Sequence, residues 1–319
     1  MDAPAPIAGR LLVLDAGDIP DAGPGDVVVG VHKGDPAYIQ PHRRFDILLA
    51  AAPDASRPWV GLTARELDVA LAGLEAACAR NPIAAAVAAQ VLRTTEALEF
   101  EAALVVESLA YSALLAGAEF KDWRSSRAVR KPPTEGPRVR LERREDGGLV
   151  IALGRAEARN AFDARMRDEL VEALEFALID PDQTRVELRG DGPAFSAGGD
   201  LDEFGRATDL ALAHAIRVEQ SPARLVHQLG DRLTAHVHGA CVGAGVEVPA
   251  AAGRVVATRD AWFRLPEVSM GLIPGAGGTA SIPRRIGRHR ACYMALSGQD
   301  IPLGTAMAWG LVDAVELTR

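Results

Sequence analysis

The stretch HVHGACVGAGVEVP, His236 to Pro249, decides how this chain is read. The run leading into it, LTAHVHG, alternates as a strand does. Glycines then mark a turn that opens a short helix over Val242 to Ala252. One acid, Glu247, stands among glycine, alanine, valine and cysteine. A helix start accepts a glutamate in its first turns because the helix dipole favours it. The alternative is chemistry. A carboxyl group withdrawn from water is harder to ionise and exchanges protons near neutrality.

A second glycine-rich turn, GPAFSAGGDL (Gly192 to Leu201), follows the strand RVELRG. Each turn leaves unpaired backbone N–H groups near a helix start, where negative charge is favoured. Two such groups aimed at one point make an oxyanion hole for a thioester enolate. Small residues are needed there because larger side chains block close approach. Neither turn fits G-x-G-x-x-G or a P-loop, so neither indicates a nucleotide cradle. A second acid, Glu267, lies in RLPEVSMGLIPGAGG, again in apolar company. Singly, each glutamate reads as a cap or surface residue and each turn as tight packing. Two turns with two acids favour a catalytic site, since paired carboxylates can hold a water between them.

The 319 residues suffice for one large domain or a domain with an appendage. A net charge of −8 argues against a nucleic-acid partner. Cys78, Cys241 and Cys292 lie far apart and read as buried thiols in a reducing compartment. The His236–His238 pair reads as structural, and no metal-ligand spacing occurs. The first residues, MDAPAPIAGR, lack a basic then apolar leader. No run reaches the roughly 20 apolar residues of a membrane span. The expectation is a soluble cytoplasmic protein without a membrane or metal.

The basic, proline-containing segment 124–137 reads as a linker. Before it, residues 1–60 mix β-like runs with Pro/Gly turns and stay unassigned. In PAYIQPHRRFD a surface loop is favoured over a ligand contact. Residues 61–123 are helical. TARE at Thr63–Glu66 matches a capping box, with Leu67, Leu71, Leu74 and Cys78 following at helical spacing. Asn81 and Pro82 read as a cap and first position, with Ile83, Val87 and Val91 on the second helix's buried face. A third helix is expected from about Glu99 to Leu115, burying Phe100, Leu104, Val105 and Leu109. After the linker, RVRLERREDGGLVIAL predicts a hairpin, Ala164–Leu178 an amphipathic helix, and Asp209 to about Leu229 one helix. Strand–helix alternation there predicts an α/β core.

Residues 138–319 resemble the crotonase (enoyl-CoA hydratase/isomerase) superfamily. RAEARNAFD, AFSAGGDLDEF, HGACVGAGVE, FRLPEVSMGLIPGAGGTASIPRRIG and ALSGQDIPLGTAMAWGLVDAV carry the resemblance, in order and spacing. It implies a spiral of ββα units binding acyl-CoA thioesters, with coenzyme A as part of the substrate and no separate cofactor. It places the oxyanion hole at the amides of Gly199 and Ala244, and CoA contacts at Ala158, Ala197, Gly198, Asp200 and Leu201. It makes Glu247 and Glu267 the two hydratase acids, one activating water and one protonating the α-carbon. It further implies a homotrimer or dimer of trimers. The expected function is syn hydration of a 2-enoyl-CoA, or the reverse. Isomerase, decarboxylase or C–C hydrolase activity and a non-catalytic partner subunit stand as alternatives.

The chain departs from the family pattern in three places. Ala244 stands where glycine is common, so a methyl narrows the pocket. Pro249 removes a helical donor just after Glu247. The family's closing helices do not follow GLVDAV, yet residues 61–123 resemble them. A circular permutation is therefore expected, with an unrelated helical domain as the alternative.

Overall fold

A computed structural model describes residues 10–128, 136–180 and 185–316. The first segment, unassigned from sequence, forms a parallel sheet of β1 (Leu11–Asp15), β2 (Val27–His32), β3 (Ile47–Ala50) and β4 (Val60–Gly61), in that order. The runs VVV and ILLA are buried throughout, as befits parallel strands covered on both faces. One face joins the main core. The other closes over its own cluster of Val28, Phe45, Leu48 and Trp59.

Four helices follow: α1 (Ala64–Arg80), α2 (Pro82–Thr95), α3 (Phe100–Leu115) and α4 (Ala118–Ser125). The capping box is present. The Thr63 hydroxyl accepts from the Glu66 amide, and the Glu66 carboxylate accepts from the Thr63 amide. Leu67, Leu74 and Cys78 are buried and Leu71 partly so. Asn81 holds the N-cap position but does not cap. Its side-chain amide donates to the Val268 carbonyl at 2.8 Å, and Glu119 of α4 accepts from the Ile83 and Ala84 amides instead. The buried face of α2 is largely alanine, and Ile83 is exposed. On α3 the expected face is also rotated. Phe100, Leu104, Glu107 and Ser108 are buried, whereas Val105 and Leu109 face out. Helix α3 is apolar almost all round, so periodicity alone cannot fix its orientation. Arg124 and Ser125, read as linker, end α4. Residues 129–135 of that linker lie outside the described residues.

The remaining chain supplies β5 (Val139–Arg143) and β6 (Leu149–Leu153), the expected hairpin, then α5 (Ala164–Ile179) and β7 (Val186–Gly190). The single helix expected over 209–229 is two, α6 (Leu210–Glu219) and α7 (Pro222–Leu229). Pro222 cannot continue a helix, and the Ser221 hydroxyl caps the second by accepting from the Arg224 amide. There follow β8 (Leu233–Val237), β9 (Ala240–Val242), α8 (Ala244–Glu247), β10 (Arg254–Ala257) and β11 (Trp262–Arg264). The expected 242–252 helix is thus one turn, continued by a 3-10 turn that begins at Pro249. Then come α9 (Gly278–Ile286), α10 (Arg288–Ser297), β12 (Ile301–Pro302), α11 (Leu303–Trp309) and β13 (Ala314–Val315).

The large sheet runs β13-β10-β8-β7-β6-β5, parallel apart from the hairpin. A small sheet runs β12-β11-β9. Successive units repeat one pattern: β8 enters the large sheet and β9 the small one before α8. Strands β10 and β11 do the same before the 3-10 turn Glu267–Met270. This is a spiral of ββα units.

Helices α1 to α3 pack on α9 and α10 within one continuous core. The sheet of β1–β4 is pinned there by buried arginines. Arg288 donates to the Phe45 and Arg43 carbonyls and pairs with Glu96, and Arg290 donates to the Trp59 carbonyl. Replacing Arg288 by methionine is expected to cost about 2–4 kcal/mol by stranding these carbonyls. Urea unfolding of both proteins measures it. Among the described residues no single helix is long and apolar enough to cross a membrane.

Candidate active site

Strands β9 and β11 are parallel neighbours, with Val242 opposite Arg264. The segments leaving their ends therefore emerge side by side. One carries Glu247 and the other Glu267, so two acids twenty positions apart reach the wall of one cleft of about 280 Å³. Both are buried, at 2% and 8% exposure. Their surroundings differ. One Glu247 oxygen, Oε2, accepts from the Ala276 amide at 2.7 Å and the Gly278 amide at 2.9 Å. The Glu267 Oε2 is buried with no hydrogen-bond partner. Gly243 makes the close approach possible: its φ is +50°, and a Cβ there would lie 2.5 Å from the Glu267 Oε1.

Gly199 and Ala244 line the same cleft. Ala244 opens α8, so its amide has no acceptor within the helix. Among the described residues, neither this amide nor that of Gly199 donates to a protein group in the surrounding loops. The glycine-rich turn Gly192–Leu201 is fixed from beneath. Asn160, fully buried with φ +52°, donates to the Asp191, Ala194 and Phe195 carbonyls, and its oxygen accepts from the Arg155 amide. A non-glycine residue in this conformation persists only where its surroundings hold it.

Of the expected CoA contacts, Asp200 lines the cleft, with its carboxylate paired to Arg155 at 2.9 Å. Ala158, Ala197, Gly198 and Leu201 are not among the residues that line it. The Ala197 amide donates to the Arg159 carbonyl, which joins the segment of Ala158 to that of Ala197. The Gly198 amide donates to the Ser196 hydroxyl.

A third buried acid was not found from sequence. Glu107 of α3 also lines the cleft, and its carboxylate accepts from the Gly277 and Thr279 amides and the Thr279 hydroxyl at 2.7–2.8 Å. An acid inside FEAALVVESLAYSALL raises the same question as Glu247, but apolar residues lie almost all round this helix and give no periodicity that marks Glu107 as inward-facing. Tyr111 and Arg217 complete this end of the cleft. The Arg217 guanidinium lies 4.9 Å from the Tyr111 ring centre and donates to the Ser108 and Ser112 hydroxyls.

Burial drives all three carboxyls up. Glu267 is pushed up to about 8 and Glu107 to about 7. Glu247 rises well above its ordinary value, through burial first and then through the nearby Glu267 and Glu107 carboxylates. Their folded values exceed the unfolded ones, so the stabilisation is full below about pH 4.5 and is lost as pH rises through the folded values. Replacing Glu267 by glutamine removes one such group. The variant is expected to gain melting temperature relative to wild type progressively between about pH 5 and pH 9, which calorimetry across that range checks.

The profile of the enoyl-CoA hydratase/isomerase family matches residues 143–317. The 2,3-dehydroadipyl-CoA hydratase of Escherichia coli is 37% identical over 172 residues, 54% of this chain and 67% of the relative. The 1,2-epoxyphenylacetyl-CoA isomerase of the same organism is 33% identical over 53% of this chain and 66% of the relative. The crystal structure of an enoyl-CoA hydratase from Thermoplasma volcanium superimposes with a TM-score of 0.52 at 33% identity, covering 57% of this chain and 72% of the other. The matched part spans about two thirds of the length of these curated relatives. The match takes in both turns, both acids and the two sheets that bring them together, and the chain belongs to the enoyl-CoA hydratase/isomerase family of the crotonase superfamily.

Proposed function

We propose that the chain catalyses syn addition of water to a 2-enoyl-CoA, and the reverse dehydration. One observation carries the reading: two buried carboxyl groups, one with two amide donors on its Oε2 and one whose Oε2 has none, share a cleft with two unspent backbone amides. Burial and its acidic neighbours raise Glu247, but two amides donate to its Oε2 and favour the charged form, whereas the Glu267 Oε2 has no donor. In this reading the pair shares one proton, held by Glu267, and Glu247 carries the charge. The thioester carbonyl lies against the Gly199 and Ala244 amides, which take up the enolate-like charge as it develops. Glu267 gives its proton to C2. A water held by Glu247 adds its oxygen to C3 and passes its proton to Glu247. One water has been added, and the pair still holds one proton, now on Glu247. Return of that proton to Glu267 resets the site. Coenzyme A arrives with the substrate, along Ala158, Ala197, Gly198, Asp200 and Leu201, and no other cofactor is required. In this reading the enzyme acts in the cytoplasm as a homotrimer or dimer of trimers.

The reading extends to residues 61–123, taken as the family's closing helices relocated ahead of the core. Their packing on α9 and α10, and the entry of α3 into the cleft wall, support this. The enoyl-thioester absorbance of crotonyl-CoA and of longer or aryl homologues tests the activity. Loss of the band with a product one water heavier supports hydration. Tight binding without loss of the band removes it.

A further inference from the structure

Glu107 lies outside residues 143–317, which the family profile matches, yet its side chain reaches the residues that hold Glu247. The amides of residues 276–279 alternate between two carboxylates. Those of Ala276 and Gly278 donate to Glu247, and those of Gly277 and Thr279 to Glu107. Neither acid can shift without disturbing the strip of backbone that fixes the other. We propose that Glu107 is a positioning residue of this site, an anion delivered by α3 that locks the 276–279 strip against Glu247 and keeps one proton on the Glu247–Glu267 pair.

The charge assignment follows from the partners each acid has. Glu107 accepts three hydrogen bonds, Glu247 two from the strip, and the Glu267 Oε2 none. Charge is most stable where donors are most numerous, which is Glu107. The ionisable groups facing Glu107 are Tyr111 on its own helix, Arg217 of α6, Glu247 of α8 and Glu267 of the 3-10 turn. Arg217 is the cation among them, and its guanidinium is engaged by Ser108, Ser112 and the Tyr111 ring. The negative charge of Glu107 therefore opposes further ionisation of its two acidic neighbours. An ordinary cap for α9 would do none of this, and the two roles separate on titration.

The test uses the full chain with Glu107→Gln, Glu107→Asp and Thr279→Val. Infrared difference spectra against pH follow the protonated-carboxyl band of the ligand-free proteins. The pH dependence of kcat/KM is followed in parallel. With Glu107→Gln, the loss of the remaining carboxyl band and the alkaline limb of kcat/KM are both expected to move about one unit or more toward acid, a tenfold loss of rate on that limb. Glu107→Asp keeps the charge and stays near wild type in both midpoints. Thr279→Val removes one hydrogen bond to Glu107 and gives a smaller displacement in the same direction; it decides the matter if the glutamine variant does not fold. Unmoved midpoints in folded variants, whatever their kcat, would reduce Glu107 to a structural cap. The kinetic arm rests on the hydratase reading. If the wild type turns over no enoyl-CoA, that reading fails, and the infrared midpoints still decide the role of Glu107.

Discussion

Glu267→Gln is expected to lower kcat for hydration by about 10³-fold while leaving KM within a few-fold of wild type. Glutamine fills the same space and keeps the fold, but has no acidic proton to give. The loss therefore falls on the step in which C2 is protonated. The proposed CoA contacts lie away from Glu267, at Ala158 and on the turn Ala197–Leu201, so ground-state binding is expected to be retained. Glu247→Gln is expected to cost a similar factor for a different reason. An amide at that position cannot accept the water's proton, and its NH₂ end competes for the place where the Ala276 and Gly278 amides point. Steady-state kinetics with crotonyl-CoA on both variants reads these effects. Equal retention of activity by both would remove the two acids from the chemistry.

The second large effect is expected at Gly243, which carries no functional group. Gly243→Ala places a methyl group where 2.5 Å separates the Cβ from the Glu267 Oε1, at a φ of +50°. The backbone conformation, φ +50° with ψ −119°, alone costs roughly 1–3 kcal/mol for a side-chain-bearing residue. The clash then displaces Glu267 or the turn that carries Ala244, and in the proposed mechanism a misplacement of about 1 Å costs about 10²-fold in rate. Melting temperature and kcat should fall together. Kinetics well below the melting transition separates the two losses, because a purely destabilised enzyme regains full turnover when cooled. Wild-type kcat in folded Gly243→Ala would mean that the approach of the two turns is looser than the structure has it.

The core of this fold was legible because its signals are local. The Asp-Gly hairpin, the capping box at Thr63 and the amphipathic α5 each follow from neighbouring residues, and each is present. Glu247 and Glu267 were legible because an acid in an apolar run contradicts its surroundings. What stayed hidden depends on distant partners. Asn81 looks like a cap, but a carbonyl 187 positions away claims its side chain. Helix α3 gives no periodic signal that would choose its buried face, so Glu107 was passed over in favour of Val105 and Leu109. The break between α6 and α7 was available in the sequence, since Ser221 and Pro222 are a cap and a first helical residue. The parallel sheet of residues 11–61 was not, because its strands are short and joined without helices.

The central claim is that two glutamates divide one water across a double bond. A single turnover of crotonyl-CoA in water enriched in both deuterium and oxygen-18, read by mass and position, tests it directly. The account predicts 3-hydroxybutyryl-CoA carrying one deuterium at C2 and one oxygen-18 at C3, formed about 10³-fold more slowly by Glu267→Gln. Deuterium exchanged into the substrate or moved along the chain, with no oxygen-18 in any product, would contradict it and assign the same carboxylates to isomerisation.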